Sequence, residues 1–147
     1  MAIIQTMTTS FKVELLEALH DFDTPGGSVF KLALYTSLAN LDANTGAYTA
    51  AGEAVGAGYV AGGLPLVNLG VGSAPAGPVA GVGFVDFADL TFPNVSITAR
   101  GALIYNSSQA NRSVCVLDFG ADKTATAGDF TIIFPVPGAT TAIIRIS

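Results

Sequence analysis

"ITARGALIYNSSQANRSVCVLDFG", residues 97–120, holds two apolar runs on either side of a patch of Asn, Ser, Gln and Arg. Runs rich in Val, Ile, Leu and Tyr around a short polar segment predict a β-hairpin. Its tip, Asn106 to Arg112, is expected to face solvent. The stretch also contains Cys115 and two Asn-x-Ser triplets, at Asn106 and Asn111; a third lies at Asn94. Such triplets accept glycans only in a secretory pathway, and otherwise they read as turn residues. Cys115, between Val114 and Val116, reads as a small apolar residue packed in a strand.

Working outward, further strands are expected at 28–36, 64–71, 82–87, 89–92, 95–105, 113–119, 129–134 and 141–146. Turn signals separate them at Asp89, Pro93-Asn94, "GADKTATAGD" and "PVPGA", and "GSAPAGPVAG" (72–81) reads as a loop. The stretch Ser37 to Gly63 is polar and small, with Gly at 46, 52, 56, 58, 62 and 63. Short strands at regular spacing predict a mainly β protein, an antiparallel, jelly-roll-like β-sandwich. One short N-terminal helix is expected in "TTSFKVELLEALHDF", where Phe11, Leu15, Leu19 and Phe22 recur at helical spacing. Ser10 is placed to cap it, Glu14 falls in its first turn, and "DTPGG" (23–27) ends it. The expected organisation is an N-terminal arm, 1–9, and a single sandwich domain, 10–147.

Charged residues make up 12% of the chain, against about 25% in an ordinary soluble domain. An exterior so poor in charge leaves apolar atoms on show, and large apolar patches mark protein contacts. Much of this surface is therefore expected to be covered by copies of the chain or by a partner. The net charge of −5 and the scattered Lys12, Lys31, Arg100, Arg112, Lys123 and Arg145 argue against nucleic acid. No apolar run approaches the roughly 20 residues of a spanning helix, and no basic amphipathic stretch suggests a membrane surface. "MAIIQTMTTSFK" lacks the pattern of a secretory signal, and a lone cysteine forms no intrachain disulfide; both fit a reducing cytoplasm.

Candidates for chemistry are few. His20 as a general base would need an orienting carboxylate, and Asp21 and Asp23 are near in sequence; a helix-end histidine bonding the last carbonyls is the alternative. A Cys115–His20 pair requires the fold to join them. Asp86, Asp89, Asp118, Asp122 and Asp129 could pair as glycosidase carboxylates do, yet Asp at strand ends is equally explained by turn bonding. Asp118, Asp122 and Asp129 lack the spacing of a calcium loop. "GAGYVAGG" (56–63) has glycines of a phosphate loop, but Pro65 and a strand-like segment follow where a helix is required. Tyr35, Tyr48, Tyr59 and Tyr105 could stack on sugars or serve as core or rim residues. No catalytic, cofactor-binding or metal-ligating residue is assigned.

The blocks "FKVELLEALHDF", "FKLALYTSLANL", "GYVAGG", "FVDFADLTFPNVSITARGALIYN", "NRSVCVLDFGADKTATAGDFTIIFP" and "AIIRIS" together resemble a family of small tailed-bacteriophage virion proteins, from about residue 10 to the end. The resemblance implies a non-enzymatic structural protein of β-sandwich type. Its leading implied role is capsid cement or decoration, as a homotrimer on the shell that bridges copies of the major capsid protein or other virion proteins. The alternative is a neck, collar or tail protein that contributes to host adsorption. Either implies assembly in the bacterial host cytoplasm and residence in the virion. The arm "MAIIQTMTTS" would then be free to add a strand to a neighbour's sheet edge.

Overall fold

The computed structural model describes residues 2–74 and 81–147. Along the chain follow β1 (Thr6–Met7), α1 (Thr9–Leu16), β2 (Phe30–Tyr35), β3 (Leu64–Pro65), β4 (Asn68–Ala74), β5 (Val82–Phe87), β6 (Leu90–Asn106), β7 (Arg112–Ile132) and β8 (Ile144–Ile146). The strands pair antiparallel in two sheets, ordered β1-β7-β6-β2-β3 and β4-β5-β8, with a shared apolar interior. The fold is the expected mainly β, sandwich-like arrangement with one short helix.

The hairpin read from residues 97–120 is its longest feature, and it extends well beyond that stretch. β6 and β7 pair from Asn106↔Arg112 to Leu90↔Ile132. The segments 89–92 and 95–105, expected as separate strands, are one strand. Pro93-Asn94 passes as a bulge between Phe92 and Val95, with Asn94 at φ 51°. The segments 113–119 and 129–134 are likewise one strand. "GADKTATAGD" stays in the ladder because residues 119–122 bulge out between Asp118↔Gly101 and Lys123↔Ala99. A bulge absorbs an extra residue without ending the pairing, so turn-type residues there do not stop a strand.

Elsewhere the differences run the other way. The strand expected at 64–71 divides: β3 pairs with β2, and β4 crosses to pair with β5 in the other sheet. Residues 72–74 of the expected loop belong to β4, and most of the rest of "GSAPAGPVAG" lies outside the described residues. The strand expected at 141–146 reduces to β8.

β2 is apolar apart from Lys31 because both its faces are covered. Phe30, Leu32 and Leu34 point between the sheets, towards Phe87, Ile104 and Ile144. Ala33 and Tyr35 point outward, where Leu41, Tyr48 and the N-terminal segment roof the sheet. Residues 2–7, within the arm expected at 1–9, lie along the chain's own sheet. Ile4 N–H donates to the Leu41 carbonyl at 2.9 Å, and β1 pairs with Val116 and Cys115 of β7.

α1 is shorter than its periodicity predicts. Thr8, not Ser10, is the N-cap, its Oγ1 accepting from Phe11 N–H, and the helix stops at Leu16. Leu19 and Phe22 therefore lie beyond it. Phe22 is instead placed by aromatic packing, stacked on Phe30 with centroids 4.4 Å apart and edge-on to Phe11. Glu14 lies past the first turn and is buried, so it serves a side-chain partner and not the helix dipole.

Candidate functional site

Two buried carboxylates organise the polar interior, and neither is among the residues singled out for chemistry. The first is Glu14. Its Oε2 accepts from His20 Nε2 at 2.7 Å and its Oε1 from Arg112 Nη1 at 2.8 Å. The other ring nitrogen of His20, Nδ1, accepts from Asn106 Nδ2 at 3.2 Å. Asn106 Oδ1 in turn accepts from Ser108 N–H, which fixes the amide orientation and with it the tautomer that carries the proton on Nε2. The hairpin tip thus reaches back to the helix.

This geometry corrects two expectations. His20 is buried and does not cap the helix; its carboxylate partner is Glu14, and neither Asp21 nor Asp23 bonds it. Asn106 is fully buried as the tip's inner anchor, so the solvent-facing segment is narrower than 106–112. Of the other two triplet residues, Asn94 sits at a bulge and Asn111 in the turn, both with positive φ.

The second carboxylate is Glu53, in the stretch that roofs the five-stranded sheet. Its Oε2 accepts from Tyr48 at 2.6 Å, and its Oε1 accepts from Tyr59 and from Gly62 N–H, each at 2.7 Å. Tyr59 Oη also accepts from Leu34 N–H, Tyr105 Oη donates to the Gly62 carbonyl, and Tyr35 Oη donates to the Thr49 carbonyl. The four tyrosines considered for sugar stacking are therefore core and clamp residues. Tyr35 and Tyr105 are buried, and each phenol is tied to the covering loop. The glycines of "GAGYVAGG" serve the same contact. A side chain at Gly56 would overlap the Ser96 carbonyl, and one at Gly63 the Leu32 carbonyl.

Burial, reinforced by the negative charge of Glu53, raises the phenol pKa of Tyr35 and of Tyr59, and pushes Tyr48 up to about 12. A raised folded-state pKa means stability that is whole below the unfolded value, about 10 for tyrosine, and lost as pH rises towards the folded values. The chain should accordingly lose its β circular dichroism cooperatively above about pH 10, together with the rise in 295-nm absorbance that marks phenolate. Phenols that titrate independently near pH 10 with the β signal intact would contradict this clamp.

The remaining candidates are dispersed. Cys115 is buried, and burial pushes its thiol up to about 12; both His20 nitrogens are already taken, so no Cys–His pair forms. Asp118 is held below the usual carboxylate range by Gly120 N–H and then by Arg100. Asp89 accepts from Phe134 N–H and Asp129 from Asn94 N–H, both as local backbone ties. Asp86 stands opposite Gly70 in the small sheet. Among the described residues, no three of His, Cys, Asp and Glu converge as a metal site would need, and no buried side-chain nitrogen or oxygen lacks a partner.

The concavities are shallow, about 330 to 460 Å³, and neither Glu14, His20, Glu53 nor Cys115 lines those identified among the described residues. The polar knots are saturated and closed, which suits them to holding loops in place. No described helix is long and apolar enough to cross a membrane. Comparison with protein-family models, with curated proteins and with solved structures finds no match to this chain.

Proposed function

We propose that this chain is a structural subunit of a tailed-bacteriophage virion, and within it a capsid cement or decoration protein acting as a homo-oligomer, a trimer in the leading arrangement. The observation that carries the reading is the exterior. Leu16 and Val55 are each 90% exposed, Val136 78% and Ile133 77%, on a chain with only 17 charged side chains (6 Lys and Arg, 11 Asp and Glu). Leu16 and Ile146, both exposed, line one shallow groove, and the exposed Val67 leads into β4, where Leu69 and Val71 are exposed as well. Apolar surface that recurs in neighbouring positions gains free energy when a partner covers it. Cement bridges adjacent shell subunits, and each standard interface of roughly 1,600 Å² is multiplied over the shell. The saturated buried carboxylates support a static role over catalysis.

Copy number in purified particles tests the proposal. Quantitative mass spectrometry should find the chain at hundreds of copies, comparable to the major capsid protein. Tens of copies or fewer would move it to the neck, collar or tail. Absence from particles would overturn the virion reading altogether.

A further inference from the structure

We infer that the free edge of β4 is a self-association surface, and that it pairs antiparallel with β4 of a second copy to join two three-stranded sheets into one of six strands. The inference rests on the homo-oligomeric reading above and sets a two-fold contact in place of the three-fold arrangement named there.

A strand at a sheet edge presents a row of unpaired backbone groups, and stable monomers guard such edges with charge, proline or bulges. The other edges here are guarded, among the described residues. β3 is two residues long and ends in Pro65, and β8 is three long and carries Arg145. β7 beyond its two-residue pairing with β1 carries Asp122, Lys123 and Asp129, with the 119–122 bulge between. β4, "NLGVGSA", is the exception. It is seven residues long, has β5 on one side only among the described residues, and contains neither charge nor proline. It is interrupted by the bulge at Leu69, where Gly70 N–H is already taken by Asn68 Oδ1, and its ladder to β5 is regular over Gly70–Ala74.

The side chains point the same way. Leu69 and Val71 of β4 are 56% and 67% exposed, although a solvent-facing edge strand is where polar residues are expected. Val71 also lines an apolar groove of about 330 Å³ that runs beneath the small sheet to Phe11, Leu15, Val85 and Ile144. A strand laid along β4 would satisfy its backbone and cover the open side of this groove.

The occupant follows by elimination among extended segments. The N-terminal segment already bonds its own sheet, at Leu41 and β7. β8 of a neighbour would match only three residues. A second β4 matches the regular stretch in full, and because the strand is uncharged, self-pairing brings no like charges together. Two-fold antiparallel pairing also closes on itself, so it yields a discrete dimer unit and not a fibre.

The test compares wild type with Val71→Lys and Leu69→Lys, using Val60→Lys as a control on an equally exposed loop residue. Sedimentation over a concentration series reads association, and hydrogen exchange of wild type reads the β4 amides that do not bond β5. The expected result is that V71K and L69K weaken association at least about 100-fold, because each dimer then carries two closely placed lysines, while V60K does not. The β4 amides should be protected in concentrated samples and exposed on dilution, which decides the matter even for a variant that folds poorly. A wild-type chain that stays single at its highest soluble concentration would overturn both this edge and the oligomeric reading. An oligomer that survives V71K and L69K, that V60K weakens equally, or whose β4 edge is protected only when another virion protein is added, would overturn the β4–β4 assignment alone.

Discussion

Replacing Glu14 by alanine should lower the unfolding free energy by about 3 kcal/mol, from the loss of a charged hydrogen-bond acceptor and the buried donor this orphans. The Glu14 side chain is only 8% exposed, and that of His20 is fully buried. In Glu14→Ala, His20 Nε2 loses its acceptor at a position water does not reach, whereas Arg112, 42% exposed, can turn to solvent. The cost therefore falls mainly on the histidine. His20→Phe should cost a similar amount: the ring still packs against Phe11 and Phe30 and Glu14 keeps Arg112, but the buried Asn106 Nδ2 is left without its acceptor. The double variant should lose less than the sum of the two single losses, since both remove one bond. Urea unfolding at fixed protein concentration measures all three, and strict additivity would show that the pair is not coupled.

The same residues explain what the sequence made legible. The hairpin at 97–120, the apolar β2 and the turn-rich remainder predict a β-sandwich, because period-two patterning and turn chemistry are local properties. The helical pattern runs past the helix because Leu19 and Phe22 continue the 3.6-residue spacing by coincidence; Phe22 is apolar in order to stack on Phe30, which no local rule reports. Pro93-Asn94 and "GADKTATAGD" read as chain reversals because turns and bulges use the same residue types. The Glu14 knot joins residues 98 positions apart, at Arg112, and His20 to Asn106 across 86, so only the fold brings them together. Glu53 is different. Its tyrosine partners are five and six positions away, and a single carboxylate within "YTAAGEAVGAGY" was a readable signal. It was missed because a Gly/Ala-rich loop carries no periodicity to say that one of its residues faces inward.

That roofing loop accounts for the second large effect, expected in Gly63→Ala: a loss above about 4 kcal/mol, or failure to fold. Two costs combine. The backbone at Gly63 has φ +70°, which disfavours any side chain by about 1 kcal/mol. The larger cost is steric, because a Cβ there would overlap the carbonyl oxygen of Leu32 and lie 2.6 Å from its carbonyl carbon. Those atoms belong to β2, which is held by β6 on one side and β3 on the other, so no flexible side chain can yield. Either β2 shifts, or the loop lifts and takes Gly62 N–H away from Glu53. Two other glycines separate the terms. Gly26 has φ +102° with nothing within 4 Å of an added Cβ, so Gly26→Ala should cost only the backbone strain of about 1 kcal/mol. Gly46 has neither positive φ nor a neighbour within 4 Å, so Gly46→Ala should fall within about 0.5 kcal/mol of wild type. If Gly63→Ala unfolds no more easily than Gly26→Ala, the loop does not press on β2. The clamp of Glu53 and its tyrosines would then be holding a segment that the sheet does not need.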